Sequence, residues 1–180
     1  MIVRPRTLIV RPVMRVRTGR LDLFPCAVDA ARAAIEDRTR LETLLGVWVP
    51  DDWPASDLRD FLPLYAQQLK AAPSLLGWGV WLMVHRAERV VVGDLGFKGE
   101  PDRAGMVEIG YSVVPAYRRQ GYAFEAVQAL VSCAFAQLGV SRITAECSPD
   151  NTPSIRILEK LGMRRLEAGE HLLRWELVNS

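Results

Sequence analysis

Val113-Val114-Pro115-Ala116-Tyr117-Arg118-Arg119-Gln120-Gly121-Tyr122-Ala123 marks the point where a strand gives way to a helix, and the rest of the chain is arranged around it. Upstream, Met106 to Val113 sets Val107, Ile109, Tyr111 and Val113 on one face of a strand, with smaller or polar residues on the other. Pro115 ends the ladder because it has no N–H to donate. Downstream, Ala123, Val127, Leu130, Ala134 and Leu138 recur at helical spacing, flanked by Phe124, Val131 and Phe135, and Gly139 offers a left-handed cap. Arg118 to Ala123 therefore opens a helix. The first turn of a helix presents unpaired N–H groups and a positive dipole end, and Gly121 lets an anion approach without meeting a Cβ. Arg118 and Arg119 oppose that dipole, so an anionic ligand explains them better than solvation does. The segment reads as a phosphate cradle.

The cradle has neither the Gly-x-x-x-x-Gly-Lys-Ser/Thr run of a nucleotide loop nor the Gly-x-Gly-x-x-Gly of a dinucleotide fold. Arg118-Arg119-Gln120-Gly121-Tyr122-Ala123 resembles instead the pyrophosphate loop of the GNAT superfamily of acetyl-CoA-dependent N-acetyltransferases. A second segment fits in order and spacing. Ile143 to Cys147, then Ser148-Pro149-Asp150-Asn151-Thr152-Pro153-Ser154 and Ile157 to Met163, is similar to that family's next strand and its Asn-x-x-Ser helix. Arg17 to Leu23 is similar to the opening strand of the branch that includes the ribosomal-protein alanine acetyltransferases. The resemblance spans Arg17 to Leu177.

This likeness implies an α+β fold with a mixed, mostly antiparallel central sheet flanked by helices, its strands Met106–Val113 and Ile143–Cys147 splayed around the cofactor. It implies acetyl-CoA as co-substrate and direct transfer of acetyl to a primary amine, on a protein N-terminus or a small molecule. The cofactor-binding residues are then Ser112, Val113, Arg118, Arg119, Gln120, Gly121, Tyr122, Ala123, Asn151 and Ser154. The pantetheine arm would lie against Met106–Val113, and a free backbone N–H at Ser112 or Val113 would stabilise charge on the thioester oxygen. Asn151 and Ser154 read equally as caps for the helix that follows. Leu158 stands where some members carry a tyrosine as acid for the departing thiolate. A domain of the same fold that binds acyl-CoA or a protein partner without turnover is the alternative function.

Composition sets the outer limits. The chain has 180 residues, 49% of them hydrophobic, and no linker-like run divides it, so residues 1–180 are expected to form one domain with 1–13 as an N-terminal extension. Those thirteen residues read either as an upstream start or, at Thr7 to Val10, as an added edge strand. A formal net charge of +2 is too mild for a nucleic-acid partner. The longest apolar run, Leu75 to Val84, is too short to cross a bilayer, and the arginines of the first twenty residues interrupt any secretory core. Cys26, Cys133 and Cys147 form no metal or disulfide pattern, and His85 and His171 lie far apart, so no metal and a reducing, cytoplasmic setting are expected. Cys147, in register with Ile143 and Ala145, reads as a core residue before a nucleophile. A monomer or homodimer is expected.

The remaining segments supply scaffold and an acceptor site. Leu21 to Phe24 reads as a first strand. Val28 onward reads as one helical face bearing Ala31, Ala34, Ile35, Leu41, Leu44 and Leu45. Gly46 to Pro54 breaks all periodicity, and Ser56 reads as the cap of a helix reaching about Leu69, with a kink at Pro63. The likeness makes this region a wall of the acceptor pocket, so Trp48, Trp53 and Tyr65 are the substrate-binding candidates, with plain packing as the rival. Val80 to His85 and Val90 to Leu95 read as a hairpin about Arg86 to Arg89. Met163 to Leu166 and His171 to Leu177 complete the sheet. An acceptor amine is mostly protonated near neutrality, with a reference α-amino pKa of about 8, so a base must take its proton. Glu146 is the first candidate and Glu108 the second, since both fall on the polar faces of their strands, with water alone as the third possibility.

Overall fold

Residues 15–137, 139–166 and 171–179 are described by a computed structural model of the chain. The expected single opening strand is two: β1 (Val16–Arg17) turns at Thr18 to Arg20 into β2 (Leu21–Pro25). Thr18 drives the turn, its hydroxyl accepting from the Leu21 N–H at 2.9 Å. The helical face expected from Val28 onward also divides, into α1 (Val28–Glu36) and α2 (Arg38–Leu45). Asp37 separates them in an extended conformation, because its carboxylate caps the Arg40 N–H at 3.0 Å. With the helix reset at Asp37, Ala30, Ala31, Ala33 and Leu41 point inward, while Ile35 and Leu44 are exposed.

Helix α3 (Ser56–Ala71) runs through Pro63 and is preceded by Ala55, not capped by Ser56, whose hydroxyl turns to Asp57. The hairpin is as expected: β3 (Val80–His85) pairs antiparallel with β4 (Val90–Phe97), and β4 with β5 (Met106–Val113). Helix α4 (Tyr122–Phe135) stops before the glycine expected to cap it, although Gly139 does adopt a positive φ of 94°. Leu138, placed on that helical stripe, and Thr7 to Val10, the added edge strand, lie outside the described residues. β6 (Arg142–Cys147), α5 (Thr152–Lys160), β7 (Arg164–Arg165) and β8 (Leu173–Val178) close the chain.

The eight strands form a sheet ordered β1-β2-β3-β4-β5-β6-β8-β7. Every neighbouring pair is antiparallel except β5 and β6. The α+β architecture is therefore the mixed, mostly antiparallel sheet that the sequence implied. One face packs Val107, Ile109 and Ile143 against Val127 and Leu130 of α4 and Leu158 of α5. The other packs Leu82 and Val91 against Ala31 of α1, Leu41 of α2, and Leu62 and Ala66 of α3. Burial on both faces is what lets the middle strands be almost wholly apolar. β5 and β6 pair only through Met106–Arg142, Val107–Ile143 and Glu108–Thr144, and part beyond Glu108. That opening positions the site.

Candidate active site

The direction of each backbone group on β5 follows from its ladder with β4. Lys98 N–H donates to the Glu108 carbonyl at 2.9 Å, and Val114 N–H to the Val92 carbonyl at 2.9 Å. Pairs alternate along an antiparallel ladder, so Glu108, Gly110, Ser112 and Val114 turn their N–H groups to β4, and Ile109, Tyr111 and Val113 turn theirs to the gap. Of the two amides expected to serve a thioester oxygen, the Val113 N–H faces the gap. The Ser112 N–H is spent in the sheet, and its hydroxyl donates to Asp94 Oδ2 at 2.9 Å.

A cavity of about 630 Å³ extends from this gap to the start of α4. It brings together Ser112, Val113, Arg118, Arg119, Gly121, Tyr122, Ala123, Asn151 and Ser154 of the residues singled out from sequence. Gln120 does not line it; the Gln120 carbonyl instead accepts from Arg20 Nη1 at 2.9 Å. Gly121 sits in the left-handed region at φ 84°, where a Cβ is strained, and provides no side-chain cap. The first backbone bond of α4 runs from Glu125 N–H to the Gly121 carbonyl, so the Tyr122, Ala123 and Phe124 amides precede any helical partner. Arg119 also has a positive φ, 62°, a conformation that costs a non-glycine residue energy and recurs at ligand sites.

The loop is held from behind by residues that sequence reasoning missed. Arg20 lies 4.4 Å above the Tyr122 ring, and its Nε donates to Glu125 at 2.7 Å. Thr18 donates to the same carboxylate. Burial works to raise the Glu125 pKa, but the bonds from Thr18 and Arg20 outweigh it and hold the carboxyl below its ordinary value. Arg118 Nε donates to the Val113 carbonyl at 2.9 Å and ties the strand end to the loop. The contacts of Thr18 and Arg20 join residues 100 or more positions apart, which no local pattern announces.

At the far wall, Asn151 caps α5, accepting from the Ser154 N–H at 3.2 Å, and the Ser154 hydroxyl meets Tyr111 Oη at 2.8 Å. Capping and cavity lining thus coexist at Asn151. Tyr111, counted from sequence only as apolar, brings a phenol to the cavity; burial raises its pKa against the Ser154 bond. Leu158 is 0% exposed and packs in the core. Cys147 is buried there too, as expected of a core residue.

The three aromatic wall candidates are not brought together. Trp48 is 55% exposed beside Arg89, Tyr65 lines a separate cavity of about 470 Å³ with Phe61 and Trp78, and Trp53 is buried. Trp53 Nε1 donates to Asp94 Oδ2 at 2.9 Å. An irregular loop carries no period, so which aromatic turns inward is settled by what each meets across the sheet. Glu146 is paired across strands with Arg174, its Oε1 2.9 Å from Nε, and Glu108 with Lys98. Both carboxylates already hold a cation. Among the described residues, no cluster of His, Cys, Asp and Glu is placed to hold a metal, and no helix is long and apolar enough to cross a membrane.

Residues 20–164 match the profile of a family described as acetyltransferase (GNAT) domain. The chain is 36% identical over 147 residues to the uncharacterized N-acetyltransferase YjdG of Bacillus subtilis (strain 168), covering 82% of this chain and 88% of that one. In structure it is similar to a ribosomal-protein-S5-alanine acetyltransferase of Vibrio fischeri, with a TM-score of 0.67 at 16% identity, covering 93% and 97% of the two chains. A RimL ribosomal L7/L12 alpha-N-protein acetyltransferase solved with coenzyme A gives 0.66 at 15%, covering 92% and 98%. At such identities the last two establish likeness of fold alone.

Proposed function

Because the chain belongs to the GNAT acetyltransferase family and is an N-acetyltransferase, we propose that it takes acetyl from acetyl-CoA and transfers it directly to a primary amine. The observation that carries this reading is one cavity with two fittings. At one end lie a helix start with no side-chain cap and a left-handed glycine; at the other, an outward N–H on a strand edge. The first suits a pyrophosphate, held by the Tyr122 and Ala123 amides with Arg118 and Arg119 to balance charge. The second suits the oxygen of a thioester, which gains negative charge as the amine attacks; the Val113 N–H would donate to it. Tyr111, Asn151 and Ser154 line the stretch between. Acetyl-CoA, when bound, supplies an activated acyl group.

The acceptor approaches from the α1–α3 side of the sheet, since the α4 side of the gap is taken up by the cofactor cavity. Glu108 and Glu146 project toward that side and would draw an ammonium to the gap, each already balanced by Lys98 or Arg174. The acceptor is either a protein N-terminus, as in the ribosomal-protein acetyltransferases sharing the fold, or a small amine. The test is thiol release from acetyl-CoA across a panel of peptides with free N-termini, amino acids, polyamines and simple alkylamines. Release with any of them supports the enzyme; tight acetyl-CoA binding without release across the panel favours the non-catalytic domain.

A further inference from the structure

Nothing above assigns a role to Asp94, although it is a carboxylate buried on the acceptor's side of the sheet. It stands opposite Ser112 in the β4–β5 register, and the Ser112 hydroxyl donates to its Oδ2 at 2.9 Å. The Trp53 indole donates to the same oxygen at the same distance. Oδ1 accepts no hydrogen bond among the described residues, and Asp94 as a whole is 9% exposed. Oδ1 is not sealed off, since the fully buried side-chain polar atoms without a partner among the described residues are Tyr65 Oη and Trp175 Nε1, so this oxygen is left open to a ligand. Leu82 flanks Asp94 on β3, but along β4 and β5 the next cross-strand pair on the same face is Gly96 with Gly110, which has no side chains. A Cβ at Gly110 would meet nothing within 4 Å. Ser112 joins this open floor to the cofactor cavity that it also lines.

We propose that the floor over Gly110, walled by Asp94 and Ser112, is the acceptor's ammonium site, and that Asp94 is the catalytic base. This rests on the acetyltransferase reading above. Asp94 pairs with the incoming R–NH3+ and takes one proton, giving R–NH2 and a neutral carboxylic acid. The nitrogen lone pair forms the N–C bond to the thioester carbonyl carbon and the C–S bond breaks. The proton shed by the new amide nitrogen goes to the thiolate, directly or through water, and Asp94 returns its own to solvent. The products are R–NH–CO–CH3, the free thiol and one proton.

Glu108 and Glu146 differ from Asp94 in that each already holds a cationic partner, Lys98 and Arg174 respectively. Burial instead pushes the Asp94 pKa up to about 6, against the bonds from Ser112 and Trp53, so the group is ionised at neutral pH yet basic enough to accept a proton. The other groups facing it are the Cys26 thiol, which burial and then Asp94 itself push up to about 12, and beyond it the Tyr65 phenol, also raised by burial; both are neutral.

A site that reads only an ammonium must accept small amines, so the probes are n-butylamine and hydroxylamine, the second largely unprotonated at neutral pH. Thiol release by the full chain is measured at saturating acetyl-CoA. Asp94→Asn is expected to lose turnover of n-butylamine by about 10²–10⁴-fold, to keep most of its hydroxylamine turnover and to lose the acidic limb of the pH–rate profile. Trp53→Phe, which removes one donor to Oδ2, is expected to move that limb to higher pH. Gly110→Val is expected to fold and to bind acetyl-CoA normally in calorimetry while n-butylamine turnover collapses. Equal turnover of n-butylamine by wild type and Asp94→Asn, or equal losses with both amines, overturns the assignment and leaves the acetyltransferase reading standing. A wild type silent on both probes but active on a larger acceptor overturns the ammonium site; one silent on the whole panel overturns both.

Discussion

Replacing Asp94 with asparagine should stabilise the fold at neutral pH, and by an amount that depends on pH in a definite direction. The folded protein raises the Asp94 pKa from 3.8 to about 6, with burial as the main cause. A carboxyl whose pKa is raised on folding binds its proton more tightly in the native state. Its contribution is thus favourable below about pH 4 and is lost as pH rises through about 6. A rise of about two units at about 1.4 kcal/mol each makes the ionised carboxylate cost about 3 kcal/mol at pH 7.5, an order-of-magnitude figure. Asparagine keeps an oxygen for Trp53 and Ser112 and cannot ionise. Urea denaturation of wild type and Asp94→Asn in parallel should show the variant more stable by up to about 3 kcal/mol at pH 7.5, with the difference closing by pH 4. Using the difference cancels every other titrating group. A difference that is flat between pH 4 and 7.5, or that favours the wild type at the upper end, would refute the reasoning and with it the view that Asp94 is a strained, buried charge. A gain in stability alongside a loss of turnover is the trade-off expected of a group kept for chemistry.

Further outcomes follow from the cradle and its supports. Gly121→Ala puts a side chain on a residue at φ 84°, which costs about 1–2 kcal/mol, so acetyl-CoA affinity should fall by roughly an order of magnitude or more in calorimetry; an unchanged Kd refutes the cradle. Arg20→Ala removes the stack on Tyr122 and the bond to the Gln120 carbonyl, and should weaken acetyl-CoA binding several-fold although Arg20 does not line the cavity. Tyr111→Phe should raise the KM for acetyl-CoA by losing the Ser154 contact, with a small effect on melting temperature. Leu158→Ala empties a fully buried position and should destabilise the protein by about 2–5 kcal/mol in urea denaturation.

Local signals in the chain mark the strand, turn and helix of the cradle, and the family likeness carried by those residues implied the fold and the cofactor end of the site. Alternation in Met106 to Val113, the proline after it, a glycine before a helical stripe, and Asn151 three residues ahead of Ser154 are short-range patterns, each set by the backbone within one or two turns. Helix starts and strand ends are decided by such neighbours, so the cradle at Arg118, Arg119 and Gly121 and the cap at Asn151 are legible in the chain, while a place for Asn151 and Ser154 beside the cofactor was implied by the family likeness. The acceptor side is not legible in that way. Trp48, Trp53 and Tyr65 looked alike because an aperiodic loop and a half-buried helix carry no direction, and only packing sent Trp53 to Asp94 while leaving Trp48 in solvent. Asp94 itself sits in Val90 to Phe97 as a lone acid in an apolar run, and its meaning depends on a hydroxyl across the ladder, an indole forty-one residues earlier in the chain, and the empty face of Gly110. Likewise Glu146, the first candidate base, and Glu108, the second, could be ranked from sequence, but only strand pairing shows that each holds a cation. Patterns of one strand or one helix are written in consecutive residues; the charge, burial and partners of a side chain are fixed by elements that meet only after the sheet has closed.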